Sequence, residues 1–365
     1  MRTDVLGPSS SRLRWSNSTD RYTPLSKEPH ERLRQLEYMA VTVNGDSDMV
    51  IFSEDGLLRE VAHSTLPDEL KLALLPISDI SHLHAVGSKI GMARVFAQAG
   101  VNHPRFQIID GPHEIAAAVE LIGYPAVVKE AHNGGGFGIT VVTSPCDLPP
   151  ASFFQCGQPL LVEEFVPGDE YSIDALYIYG RLVVASVSRI VEVMSSWGVS
   201  TVREFVTAQD PKLFCDLQAI GHELGMHGLA NISTVRQHDG SYCIFEFDMR
   251  PNNWHAYARA LGVDFSAALT TPQLDQWTVL TPRQVSTQQP IRVRHLTRTL
   301  RSGLRPNGGH WELLRHPAHV WPYVHIGDVK LTVLEGAAHA RWLTDHIREA
   351  IAIRLRNRTH RGPGS

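Results

Sequence analysis

The stretch Ala126–Val142, AVVKEAHNGGGFGITVV, decides how this chain is read. It begins as an apolar strand carrying Lys129, passes through Gly134, Gly135, Gly136 and Gly138 around Phe137, and ends as a second strand. A lysine is a compact cation suited to phosphate oxygens, and glycines let backbone N–H groups approach an anion unobstructed. Because the lysine precedes the glycines, the segment is neither a Walker-type loop nor a GxGxxG turn. A glycine-rich hairpin closing over phosphates fits this order. A flexible surface loop is the plainer alternative.

Two further segments lie downstream. LLVEEFVPGDEYSID (Leu160–Asp174) brings an apolar strand to Glu163 and Glu164 and then turns through Phe165, Val166 and Pro167-Gly168. Such a hinge can present backbone C=O and N–H to a purine edge, and Glu170 can accept from ribose hydroxyls; a solvated acidic edge is the alternative. In CIFEFDMRPNNW (Cys243–Trp254), strand alternation puts Glu246, Asp248 and Arg250 on one face and Phe245 and Phe247 on the other. Two carboxylates beside a guanidinium suit a hard cation with polyphosphate, or else form a surface ion-pair row.

Around these segments, Ser88 caps a helix from Lys89 to about Gln98 that Gly100 stops. RFQIID is a strand and PHEIAAAVELIG a helix. After Tyr124, strands dominate, with one helix near 210–226 and an Asp239-Gly240 hairpin turn, which implies antiparallel α+β architecture. Residues 1 to about 30 read as a loose arm, followed by a helix in HERLRQLEYMAV, a strand at Asp48–Ser53 and a helix over 57–75. Amphipathic helices are expected near 290–304, with Arg292, Arg294, Arg298 and Arg301 on a solvated face, and near 335–356.

Composition narrows the classes. The 365 residues allow two or three packed units, and 34 Lys and Arg against 38 Asp and Glu leave a net charge of −4. That balance argues against a nucleic-acid partner or an anionic membrane surface, both of which need clustered cations. No apolar run is long enough to span a bilayer, and the opening MRTDVLGPSSSRLRW has no apolar h-region. Four scattered cysteines without a CxxC pair make a cytoplasmic location the expectation.

The order Lys89, Lys129, GGGFG, EEFVPGDEYSID and DGSYCIFEFDMRP resembles the ATP-grasp superfamily over about residues 80–265. In style it is similar to the carboxylate–amine ligases and the carbamoyl-phosphate-synthetase-like branch. The resemblance implies an ATP-grasp fold, two α+β subdomains clamping ATP, with a glycine-rich lid over about 124–168 and a core over 81–270. Residues 31–80 would be a truncated Rossmann-like domain, and 271–365 a helical C-terminal extension. Lys89 and Lys129 would contact phosphates, and Gly134 to Gly138, including Phe137, would cover them. Glu163, Glu164, Phe165 and Val166 would meet the adenine and Glu170 the ribose, with Val127 and Phe245 sandwiching the ring. Glu246 and Asp248 would hold Mg²⁺, with Mn²⁺ as a substitute; Arg250 would steady the transferred phosphoryl group, and Arg189 is a weaker phosphate candidate.

The implied activity is ligation of a small-molecule carboxylate to an amine, amino acid or peptide included, through an acyl phosphate with release of ADP. Bicarbonate activation and a catalytically weak ATP-binding regulator are the alternatives. Two departures from the family pattern stand out. Asp248 occupies the place of an expected Asn, and Ser233 the place of an expected acidic ligand on the preceding hairpin strand, an exchange that keeps the metal-facing charge near −2. The shortened N-terminal domain leaves an edge that a second copy would cover, so a homodimer is expected. The acceptor pocket is expected from loops at about 191–209 and 252–300, with His255 a candidate lining residue.

Overall fold

The computed structural model describes residues 2–43, 49–134, 136–155, 157–194, 199–206, 210–270 and 291–294. The chain divides into two units, one containing residues 1–32 and the other residues 33–303. In the first, β1 (Asp4–Gly7) pairs in parallel with β2 (Arg21–Pro24). The expected loose arm therefore contains regular structure. Asp20 accepts from the Thr3 N–H (2.6 Å) and the Tyr22 hydroxyl donates to Pro8 O (2.5 Å), and these bonds fix the connection between the strands.

Helix α1 (Pro29–Thr42) leads into the second unit, where Leu36 and Ala40 are buried. Helices α2 (Asp55–Ala62) and α3 (Asp68–Leu74) replace the single helix expected over 57–75. The break falls at Pro67, which has no N–H to continue a helix and biases Leu66 away from helical geometry. Residues 49–53 form no strand, since no described strand lies alongside to complete a ladder; Phe52 is buried without one.

Helix α4 (Lys89–Ala99) starts where the Ser88 hydroxyl accepts from Gly91 N–H (3.1 Å) and stops at Gly100, in the left-handed conformation. Next come β3 (Phe106–Ile109), α5 (Ile115–Ile122), β4 (Ala126–Glu130), β5 (Ile139–Val142) and β6 (Leu160–Glu164). The four strands form an antiparallel sheet in the order β3-β6-β4-β5. Strand alternation sorts its two faces. Ala126, Val128, Leu160 and Val162 share a core with Ile115, Val119 and Ile122 of α5. Leu161 packs instead with Ile90 and Ala93 of α4, so Val127, Lys129 and Glu163 face away from α5.

The second sheet is antiparallel throughout, in the order β11-β10-β7-β8-β9-β12. Its strands are β7 (Asp169–Ile178), β8 (Arg181–Val193), β9 (Ser200–Val206), β10 (Gly228–Arg236), β11 (Tyr242–Asp248) and β12 (Ile291–Arg294). Helix α6 (Pro211–Leu224) packs on it, with the Tyr177 hydroxyl donating to Leu217 O (3.0 Å). A short α7 (Phe265–Thr270) follows. Strand β12 overturns the helix expected from residue 290: Ile291–Arg294 completes the free edge of β9, and Arg292 reaches Glu204 there (3.0 Å). Strand β9 likewise lies within the stretch expected as loop over 191–209. Arg298, Arg301 and the helix expected over 335–356 lie outside the described residues.

Candidate active site

The site forms where the N-terminus of α4 meets the end of β4. The Lys89 backbone N–H donates to Ala131 O (2.9 Å), and its ammonium bonds Asn133 O at the start of the glycine loop. The same ammonium lies 3.1 Å from the Glu246 carboxylate on β11. Although loss of water lowers it, Glu246 and Asp248 hold the Lys89 amine above its ordinary range.

Lys129 is buried and ion-paired with buried Glu163, which lies diagonal to it across the β4–β6 ladder. Its ammonium also sits 5.0 Å from the centroid of the Phe245 ring. Strict alternation would send Phe245 to the opposite face with Phe247. Instead the β10–β11 ladder pairs Ser233 with Glu246 and Thr234 with Ile244, so Phe245 is the extra residue of a bulge. The bulge re-aims Phe245 toward Lys129, while Phe247 packs against Tyr177 (ring centroids 6.0 Å apart). The expected shared face for Phe245 and Phe247 is thereby corrected.

Glu246, Asp248 and Arg250 do come together. Arg250 Nη2 is 3.0 Å from Asp248 and 2.8 Å from Asp55, at the start of α2. Burial raises Glu246, but the charges of Lys89 and Lys129, the Lys89 hydrogen bond and Arg250 hold it below the ordinary carboxylate range. Asp248 moves the other way: loss of water, and then the Glu246 charge, push it up to about 7. The two carboxylates, each beside a cationic partner, are the hard oxygen donors that the cleft offers. Among the described residues there is no group of three or more His, Cys, Asp or Glu able to hold a metal.

A cavity of about 340 Å³ opens beside these groups, lined among others by Asp55, Arg59, Lys89, His132, Asp248 and Arg250. Gly134 lines it too; Gly136 and Gly138 have positive φ, Phe137 is 78% exposed, and Gly135 lies outside the described residues. The loop is tied down by Glu130, which accepts from Gln155 N–H (2.6 Å) and bonds the Asn133 amide. Glu130 and Asn133 escaped sequence reading, as did Asp55 and Arg59, because nothing in their local pattern marks them.

The remaining candidates are distributed as follows. Val127 is buried opposite Glu163, and Glu170 on β7 lies within electrostatic reach of Lys129, Arg203 and Glu246. Glu164 pairs with Arg105 (2.7 Å), and the Phe165 N–H donates to Pro125 O (3.1 Å), with half-buried Val166 next in the hinge. Arg189 does not line the cavity; it is bound to Glu204 (2.8 Å) on the neighbouring strand. The described parts of 191–209 and 252–300 do not line it either, and the rest of the loops from which an acceptor pocket is expected lies outside the described residues. His255 contacts Asn252 O (2.7 Å) instead.

Two family models match: "ATP-grasp in the biosynthetic pathway with Ter operon" over residues 157–299, and "D-ala D-ala ligase C-terminus" over residues 89–201. Among curated proteins, the chain is 24% identical over 173 residues to a D-alanine–D-alanine ligase of Geobacter sulfurreducens (45% of this chain, 55% of the relative). It is 26% identical over 168 residues to that of Bordetella petrii (45% and 48%). The chain thus spans about half the length of the curated relatives it matches. Among solved structures, it resembles an N5-carboxyaminoimidazole synthetase from Staphylococcus aureus with ADP, with a TM-score of 0.54 at 16% identity, covering 71% of this chain and 66% of the other. It also resembles a biotin carboxylase from Campylobacter jejuni, with a TM-score of 0.51 at 15% identity, covering 71% and 62%. Among the described residues, no helix is long and apolar enough to cross a membrane.

Proposed function

We propose that the chain is an ATP-grasp enzyme, as the two family models that match parts of it support, and that it is an ADP-forming ligase joining a small-molecule carboxylate to an amine. The observation that carries this reading is the convergence of Lys89, Glu246, Asp248 and Arg250 in one cleft, with Lys129 beside Phe245. Catalysis of this kind rests on positioning and charge stabilisation, for which fixed cations and hard oxygen ligands suffice. The curated relatives named D-alanine–D-alanine ligase support an amino acid or short peptide as the kind of substrate.

ATP would lie against β4, β6 and the Phe245 ring, with Glu163 and the Val166 backbone at the adenine and Glu170 at the ribose. Glu246 and Asp248 would hold Mg²⁺, with Mn²⁺ as a substitute, and the metal would supply neutralising charge to the phosphates. Lys89 and Lys129 must release their carboxylate partners to meet phosphate oxygens, and Gly134–Gly138 lets the loop approach without side chains. A carboxylate oxygen of the acid bonds to the γ-phosphorus as the bond to the β-bridging oxygen breaks and ADP leaves. The amine nitrogen then bonds to the acyl carbon, phosphate departs with the C–O electron pair, and the nitrogen sheds its proton. Arg250, held by Asp55 and Asp248, stabilises the negative charge that develops in both steps. Use of ATP is in keeping with a cytoplasmic location.

The test is ADP release with Mg²⁺ across a panel of acids and amines, with Lys129→Ala as the control. ADP release that needs both an acid and an amine supports ligation. Release with bicarbonate and no organic acid points to bicarbonate activation. Tight ATP binding without release under any condition points to a regulator.

A further inference from the structure

The cavity beside Glu246 carries three cationic side chains, and two of them are already committed. Lys89 lies on Glu246 at 3.1 Å, and Arg250 lies on Asp55 and Asp248 at 2.8 and 3.0 Å. The third, Arg59, has no carboxylate within ion-pairing distance among the described residues. Its natural partner would be Asp55, one turn earlier on the same face of α2. That carboxylate is turned to Arg250 instead.

The surroundings of Arg59 are shaped for it. Gly87 has φ +61, and a Cβ there would come within 2.8 Å of the Arg59 Cγ, so the missing side chain gives the arginine stem its path past the loop before α4. His132 closes the same corner, with Nδ1 at 3.2 Å from Gly87 O. Burial, and then the positive charges of Arg59, His63 and Lys89, hold His132 below the usual histidine range. The Arg59 guanidinium beside it is positively charged whatever the state of His132.

Resting on the ligase reading above, we propose that Arg59 binds a second anionic group on the acid activated at Arg250, so that the substrate class is short dicarboxylic or otherwise dianionic acids. Arg250 is bound to Asp55, one helical turn before Arg59 on α2, and both guanidinium groups line the same cavity, so one short molecule can reach both. A planar guanidinium with free donors suits a second carboxylate bidentately, or a phosphate. The cavity, about 340 Å³, accommodates such a molecule.

Melting temperature of the full chain is measured with Mg²⁺ and a non-hydrolysable ATP analogue, adding succinate, glutarate, aspartate or glutamate, and separately acetate, propionate, glycine or alanine. ADP release follows with the same acids and an amine panel, for the wild type, Arg59→Ala and Arg59→Lys. The expected result is stabilisation and turnover with one or more dianionic acids. Loss of a charged hydrogen-bond partner in Arg59→Ala should raise KM for that acid about tenfold or more while kcat changes little, with partial recovery in Arg59→Lys. The proposal is overturned if monocarboxylates serve equally well, if no dianionic acid registers in either assay, or if Arg59→Ala leaves KM unchanged. Binding of the analogue alone is the separating control. If it binds while the acid results fail, only the role of Arg59 falls; if it does not bind, the ligase reading falls as well.

Discussion

Ser233 stands directly opposite Glu246 across the β10–β11 ladder, and Asn231 stands opposite Asp248. A hydroxyl therefore faces the first carboxylate of the site, and the second carboxylate, Asp248, lies along β11 rather than across the hairpin. With this register, the proposed exchange of a carboxylate between the two strands would be a local one.

Asp248→Asn removes one of the two carboxylates proposed to hold the metal. ADP release should fall by about tenfold or more, the loss of one charge-assisted contact. Adding Ser233→Asp to that variant restores a carboxylate opposite Glu246 and should recover much of the rate. A wild-type rate in Asp248→Asn alone would refute the compensation.

Lys129 and Glu163 form a buried pair, with side chains only 8% and 4% exposed. Lys129→Met strands a buried carboxylate and should cost about 3 kcal/mol or more in urea unfolding. The double variant Lys129→Met, Glu163→Gln should regain most of that stability without regaining ADP release. Recovery of both together would mean that the lysine has no role with phosphate.

Asp174 on β7 is buried, and one of its oxygens lacks a hydrogen-bond partner. Loss of water, partly offset by the charges of Arg203 and His255, pushes it from 3.8 up to about 6. A carboxyl raised in the folded state binds its proton more tightly there than in the unfolded chain, so its contribution to stability falls as pH rises from about 4 to about 6. The stability of Asp174→Asn relative to wild type should climb across that window by on the order of 3 kcal/mol and level off above it. Parallel pH profiles for the two proteins would contradict this.

Gly91 lies in α4, where alanine is intrinsically the better helix former by about 1 kcal/mol. A Cβ there would come within 1.9 Å of His84 O and 2.6 Å of Ala85 Cα, so the clash outweighs propensity. Gly91→Ala should lose about 3 kcal/mol or more by urea midpoint, with weaker nucleotide binding because α4 carries Lys89. An unchanged midpoint would show that the segment before α4 yields freely.

Much of the fold was legible along the chain. The caps of α4, the hairpin turn before β11 and the apolar runs of β4 and β6 are local signals that the structure repeats. Legibility ended where partners are distant. The short strands near the N-terminus, the strand identity of β9 and β12 and the break between α2 and α3 depend on pairing or packing that no window of sequence contains.

The sequence alone marked the first candidates for the chemistry. Lys129, the glycine loop and the alternating Glu246, Asp248 and Arg250 follow from residue type and spacing, and Lys89 from the family resemblance. Tertiary structure decided which of them meet, and with whom. The bulge at Phe245 turned a ring toward Lys129 against strand alternation, and Asp55 reached Arg250 across 195 positions of chain. Spacing along a strand fixes the face on which a residue lies, but only closure of the chain brings a helix from before the core onto that face and leaves Arg59 beside the cavity.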